Sequence, residues 1–261
     1  MIIFYTIIIF FCSCTDLILK NENQFHSIHL SGEAWVEFNK SAEFNSEHFT
    51  IELWFSAYMS DETQTIISIL DQDENIKFGL FIDPLNSSEI QIRYENMPIN
   101  AIELDNDIFN GTFYNIAIVS SNITDIYING DKIISIENPI YLDNNTIVMG
   151  AKVNKEHTII ENYLFGYIDE VRLWNTNLNE SMISFHHLNP SKLSQTSNNE
   201  ILQSLRGLWK FNNSDNEYSF IIQDHTCQTT ITNYLDYACT INNDALIYTI
   251  GSGSVEFSDK H

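Results

Sequence analysis

Positive charge is scarce in this sequence, with 12 Lys and Arg against 35 Asp and Glu and a formal net charge of −23 over 261 residues. A phosphate backbone would be repelled from almost any face of such a chain, which argues against nucleic acid as a partner. Glycine and proline are also few, at 9 and 4. Turns must therefore be built from Asn, Asp and Ser, which tolerate left-handed backbone or close local hydrogen bonds. The chain has no internal repeat of fixed period, no coiled-coil heptads and no low-complexity linker between two halves. Catalytic signatures are missing as well: there is no Gly-x-Ser-x-Gly, no His-Glu-x-x-His and no phosphate loop. What the sequence does have is apolar mass, 44% hydrophobic and 13% aromatic residues against 18% charged, enough for the core of one large all-β domain.

The longest apolar run lies at the start. Met1 to Ser13 (MIIFYTIIIFFCS) has no charged side chain, and its run of about ten apolar residues fits a secretory h-region better than a membrane span of about 20. Residues 1–13 are therefore expected to direct export as a signal peptide, with an N-terminal linker over residues 14–27. Phe11-Cys12-Ser13-Cys14 resembles a bacterial lipobox, in which a small residue precedes the cysteine that is lipidated. Cys14 is then either the lipidated N-terminus of a cell-surface lipoprotein or the last residue of an ordinary signal peptide of a secreted one. A lipid anchor is the one membrane contact expected. With Cys12 and Cys14 in the leader, Cys227 and Cys239 remain, an even number in an oxidising compartment, and a disulfide between them is expected. Closing that loop would contribute on the order of 3 kcal/mol in the chain-entropy account. The alternative, a metal pair, has only His225 nearby.

Period-2 alternation marks the strands. Phe49, Ile51, Leu53, Phe55 and Ala57 alternate with Thr50, Glu52, Trp54, Ser56 and Tyr58, the pattern of a long strand with one face on a core. Further strands are predicted at Ala34 to Phe38, Thr65 to Leu70, Lys77 to Ile82, Glu89 to Tyr94, Phe113 to Ser120, Asp125 to Ile128, Lys132 to Ile136 and Tyr163 to Trp174. Their spacing predicts an all-β fold, an antiparallel two-sheet β-sandwich with one short helix. Asn129-Gly130 between two short apolar runs predicts a type I′ hairpin, whose central residues both need positive φ. Asn110-Gly111 predicts a similar turn. The helix is expected at Glu180 to His187, capped by Asn179.

Five segments, read in order, resemble the laminin-G-like jelly roll of the concanavalin A-like lectin/glucanase superfamily. They are His29-Leu-Ser-Gly32-Glu-Ala-Trp-Val-Glu-Phe38, Phe49-Thr-Ile-Glu-Leu-Trp-Phe55, Phe113-Tyr-Asn-Ile-Ala-Ile-Val119, Ile126-Tyr-Ile-Asn-Gly130 and Gly166-Tyr-Ile-Asp-Glu-Val-Arg-Leu-Trp174. The last, with the short helix after Asn179, is similar to the family's closing strand and capping helix. Gly207-Leu-Trp-Lys-Phe-Asn212 resembles the Trp-x-Phe strand that follows in bacterial members. The resemblance implies a jelly-roll domain over residues 28–212, with residues 213–261 packing on the sandwich or completing it. Two departures stand out. Ser31 occupies the place before Gly32 where the family usually has an acidic residue, and Phe113 opens a strand that usually begins Trp-His-His or similar.

Strict alternation in Gly166 to Trp174 places Tyr167, Asp169, Val171 and Leu173 on one face, so Asp169 enters the core unless a bulge intervenes. The resemblance implies a structural Ca²⁺ near this strand, with Asp169 as a ligand and the backbone of Gly32 as a further one. The other reading is that Asp169 accepts backbone amides or pairs with an arginine. Glu170 and Arg172, on the opposite face, are expected to form a surface pair worth little. Asp71-Gln-Asp73-Glu74 is expected to be a solvated acidic turn, lacking the Gly and distal Glu of a calcium loop. Trp35, Trp54, Trp174 and Trp209, with 12 Tyr and 17 Phe, offer either core packing or a sugar-stacking platform. No Glu-x-Asp-x-Glu run is present to set an acid and a nucleophile about 5 Å apart. The resemblance therefore implies a non-catalytic recognition module that binds a glycan or a cell-surface protein. A carbohydrate-active enzyme with carboxylates from separate strands, and a structural surface protein without a small ligand, are the alternatives.

Overall fold

The computed structural model describes residues 26–32, 34–38, 47–71, 73, 75–95, 97–142, 146–153, 160–190, 192–194, 199–209, 221–230, 238–249 and 255–259. The expected signal peptide and Cys14 lie outside them. In chain order the strands are β1 (His26–Ser31), β2 (Ala34–Phe38), β3 (Phe49–Ala57), β4 (Gln64–Leu70), β5 (Ile76–Ile82), β6 (Glu89–Tyr94), β7 (Met97–Glu103), β8 (Tyr114–Ser120), β9 (Thr124–Ile128), β10 (Asp131–Ile136), β11 (Thr146–Met149), β12 (Lys152–Val153), β13 (Ile160–Glu161) and β14 (Phe165–Trp174). Helices α1 (Glu180–Leu188) and α2 (Asn199–Leu202) follow, then β15 (Leu205–Trp209), β16 (Ile221–Thr230), β17 (Ala238–Thr249) and β18 (Val255–Asp259).

Two antiparallel sheets face each other. The first runs β10-β9-β8-β3-β14-β1-β18, and β15 also pairs with β14; the second runs β16-β17-β2-β11-β4-β5-β6-β7. This is the two-sheet sandwich expected from the alternation. Strand β14 has β3 along one side, with β1 beside its first half and β15 beside its second. The inward side chains of both sheets form one core, including Ile51, Leu53, Phe55, Ile116, Ile118 and Ile168 from the first sheet and Ile67, Ile69, Phe78, Leu80 and Ile147 from the second. Each such side chain contributes roughly 1.5–3 kcal/mol when fully buried. Strands β16 and β17 extend the second sheet beyond β2, and β18 extends the first beyond β1. Thr226 pairs with Thr240, so Cys227 and Cys239 are each the next residue along from that pair on neighbouring strands.

Local chemistry explains the turns. Asn129 (φ 51°) and Gly130 (φ 87°) both adopt the left-handed backbone that a type I′ hairpin requires. Asn110 Oδ1 accepts from the Thr112 amide at 2.7 Å, and Gly111 takes φ 78°. Helix α1 starts as expected: Asn179 Oδ1 accepts from the Met182 amide at 2.9 Å. The helix lies on the outer face of the first sheet, where Ile183 and Leu178 pack with Ala117, Val119, Tyr127 and Trp174.

Candidate functional site

Among the described residues, helix α1 packs on one end of that outer face. Towards the other end lie aromatic side chains from β1 and β14 and from the residues just after β3 and just before β8. His29 points outward because its neighbours Ile28 and Leu30 are in the core. Phe113 precedes the inward Tyr114, and Tyr58 follows the inward Ala57. Phe165 and Tyr167 flank Gly166 on β14, where an added Cβ would come within 2.0 Å of the Ser56 carbonyl oxygen. That glycine lets β14 lie close against β3 and fixes the height of the two rings beside it.

The rings form one continuous ledge with Tyr167 at its centre. Ring centroids lie 4.8 Å from Tyr167 to His29, 5.7 Å to Tyr58 and 6.2 Å to Phe113. Phe165 lies 5.3 Å from Tyr58 and 6.1 Å from His29, and is 37% exposed. These are the offset and tilted arrangements that aromatic quadrupoles favour. The Tyr58 hydroxyl is hydrogen-bonded to Tyr167, which together with partial burial pushes its pKa above the ordinary phenol value. The ledge thus offers ring faces for stacking, and phenol groups that can both donate and accept.

The sequence reading missed this ledge for a definable reason. A bulge in β14 intervenes: Asp169 pairs with Trp54 and Arg172 pairs with Glu52, leaving two residues opposite one. Glu170 sits at the bulge with φ 46°, and its amide donates to Asp169 Oδ1 at 2.7 Å. Before the bulge Ile168 faces the core, so Tyr167 and Asp169 face outward; after it Val171 and Leu173 face the core. Asp169 is therefore buried outside the sandwich core, a correction to strict alternation.

Glu170 and Arg172 also depart from the expectation of an exposed pair. They do pair, at 3.2 Å, but both are buried. Arg172 Nη2 also donates to the Pro190 carbonyl, and its guanidinium stacks 4.9 Å above the Trp54 ring. Next to it, Glu52 accepts from Trp174 Nε1 at 2.7 Å, and His186 Nδ1 lies 3.0 Å from the same carboxylate. His186 Nε2 faces the Leu193 carbonyl at 3.2 Å, so both ring nitrogens point at acceptors. Burial pushes the Glu52 carboxyl up, but the His186 charge and hydrogen bond, Arg172 and Trp174 outweigh it and hold it below the usual carboxylate range. This network fastens α1 to the sheet and borders the ledge.

The other candidates fall elsewhere. Gly32 follows Ser31, which pairs with Phe165, so Gly32 and Asp169 lie five residues apart along β14, about 16 Å at 3.3 Å per residue. The structure does not bring them together around one ion. Among the described residues no three His, Cys, Asp or Glu side chains gather as a metal-binding group. Asp71 accepts from the amides of Asp73 and Asn75 at 2.9 Å each, which makes it the keystone of its own turn. Trp35, Trp54 and Trp174 are buried, so the stacking surface is made by tyrosine, phenylalanine and histidine. The side chains of Trp209, Cys227 and Cys239 lie outside the described residues.

Comparison with known proteins agrees with this architecture. The laminin G family of the Concanavalin A-like lectin/glucanases superfamily matches residues 30–184. The native heptameric SAP-like pentraxin of Limulus polyphemus superposes with a TM-score of 0.52 at 16% identity, over 64% of this chain and 83% of the pentraxin. A proposed carbohydrate-binding protein from Bacteroides ovatus superposes with a TM-score of 0.57 at 13% identity, over 90% of this chain and 60% of that one. No curated protein matches the chain in sequence. With more than half its length matched by the family, this chain belongs to the laminin G family of the concanavalin A-like lectin/glucanase superfamily.

Proposed function

We propose that the protein is a non-catalytic glycan-recognition module of the cell surface, and that it holds carbohydrate on the aromatic ledge. The observation that carries this reading is the contiguity of His29, Tyr58, Phe113, Phe165 and Tyr167, four of them partly exposed and Phe165 exposed, on one face of the first sheet. Aromatic faces stack against the C–H faces of sugar rings, and phenol groups serve sugar hydroxyls as donors and acceptors. The similarity to a Bacteroides ovatus protein described as carbohydrate-binding supports the same reading. The five ledge residues include no carboxylate to act as acid or nucleophile, which favours recognition over hydrolysis.

A glycan array followed by affinity electrophoresis tests the proposal. Retention by at least one polysaccharide, lost in Tyr167→Ala with unfolding temperature preserved, is the expected result. Retention unchanged in Tyr167→Ala would move the site off the ledge. Release of reducing ends from the retained polysaccharide would replace recognition by hydrolysis.

A further inference from the structure

We propose that the ledge takes an uncharged oligosaccharide laid across the strands, in preference to a single sugar or an acidic one; the proposal rests on the glycan reading above. The first observation is extent. His29 and Tyr167 come from β1 and β14 and Phe113 from the residue just before β8, and β3 lies between β14 and β8. The backbones that carry this row span three strand spacings, and the rings lean together: centroid separations of 4.8 Å and 6.2 Å make one surface at most about 11 Å long from His29 to Phe113, wider than a single sugar ring of about 5 Å. A monosaccharide would cover one part of the row's exposed ring surface, whereas a chain of sugars lying across the strands would cover more of it. Each further sugar that stacks removes more apolar ring surface from water, so affinity should climb with chain length until the row is filled.

The second observation is charge. Carboxylate and sulfate groups on sugars are held by arginine forks or lysine ammonium groups. Among the residues of β1, β3, β8 and β14 the one Lys or Arg is Arg172. It is fully buried and engaged by Glu170 and Pro190, with its guanidinium over Trp54. Beyond Tyr58 the chain continues into an exposed loop that carries Asp61 and Glu62. The whole chain adds a net charge of −23. An acidic glycan approaching this end therefore meets like charge, felt over about 10 Å at 0.1 M salt. An uncharged one escapes that repulsion and keeps the stacking.

Isothermal titration of the full protein with graded oligosaccharides decides the question. The neutral series are cello-, manno-, xylo- and arabino-oligosaccharides from one to six units, and the acidic probes are sialyllactose and oligogalacturonate, each at low and high salt. For at least one neutral series, affinity is expected to rise roughly tenfold or more with length and then level off, and Tyr167→Ala and Phe113→Ala should each reverse most of that gain. Both acidic probes should bind at least roughly tenfold more weakly at low salt than the best neutral chain. Thermal unfolding of each variant confirms that it is folded, and Phe113→Ala serves if Tyr167→Ala does not fold. Tighter binding of an acidic probe, abolished by Tyr167→Ala, would overturn the charge inference while leaving the ledge as a glycan site. A monosaccharide that binds as tightly as the longest chain would overturn the extent inference. Failure of the wild type to bind any of these sugars would remove the glycan reading itself.

Discussion

Glu52 occupies an outward position on β3, yet it is fully buried, with Trp174, His186 and Arg172 around its carboxylate. Its His186 partner is 134 residues away in sequence. An outward glutamate in an alternating strand normally meets water, and no local pattern reveals that a helix will settle over it. The same separation hid the burial of Arg172, whereas the hydrophobic alternation on either side of Glu52 was fully legible. Replacing Glu52 by Gln leaves the buried His186 imidazole without its carboxylate partner and removes one of the two acidic groups near Arg172, and should cost about 3 kcal/mol or more in urea unfolding. The pH dependence has a definite sign. Because the folded carboxyl lies below its ordinary value of 4.5, the stabilisation is complete above that pH. It drains away as the pH falls and the folded carboxyl takes up its proton. Glu52→Gln should flatten the stability profile in that acid range, and an unchanged profile would show that the carboxylate is not the anchor of the network.

The elements read correctly from sequence were those specified by their own neighbours. Asn179 caps α1 through a bond to Met182, three residues on, and Asn129-Gly130 closes a hairpin within a few residues. Strand β7 was missed because Pro98 interrupts it, and its place at the edge of the second sheet is where a proline is tolerated. The ledge was missed because the bulge at Glu170 shifted Tyr167 from the face that alternation assigned it. Gly130 shows local and distant demands meeting at one residue. Its φ of 87° needs glycine, and an added Cβ would also lie 3.1 Å from Ser184 Cα on α1. Gly111 has a similar φ of 78° with nothing within 4 Å of the added Cβ. Gly111→Ala should therefore cost about 1–2 kcal/mol, the backbone penalty alone. Gly130→Ala should cost clearly more, because α1 must also shift. Chemical denaturation of the two variants side by side checks this, and equal losses would mean that the helix contact contributes nothing.

At the scale of the whole molecule, the sandwich was legible because inward alternation recurs between Ile28 and Trp174. Its edges were not, since β1 pairs with β18 and β2 with β17 across some two hundred residues of chain, and no periodicity within a strand names so distant a partner. Charge is the other property that belongs to the molecule as a whole. A net −23 spread over one folded body repels itself, while the attractive surface pairs among the described residues include only a few, such as Lys77 with Asp71, Lys132 with Asp125 and Lys152 with Glu161. Exposed pairs of this kind are worth about 0–1 kcal/mol each. Salt weakens both terms, shortening the screening length from about 30 Å at 0.01 M to about 10 Å at 0.1 M. Contact pairs at 2.5 to 3.6 Å lie well inside either length, whereas repulsion among carboxylates scattered over the surface acts at the longer distances that salt cuts off first. The balance therefore favours net relief, and the unfolding temperature should rise as sodium chloride is raised from about 0.01 M to 0.3 M. A fall over that range, followed by differential scanning calorimetry at fixed pH, would mean that the short-range pairs outweigh the repulsion of the excess carboxylates.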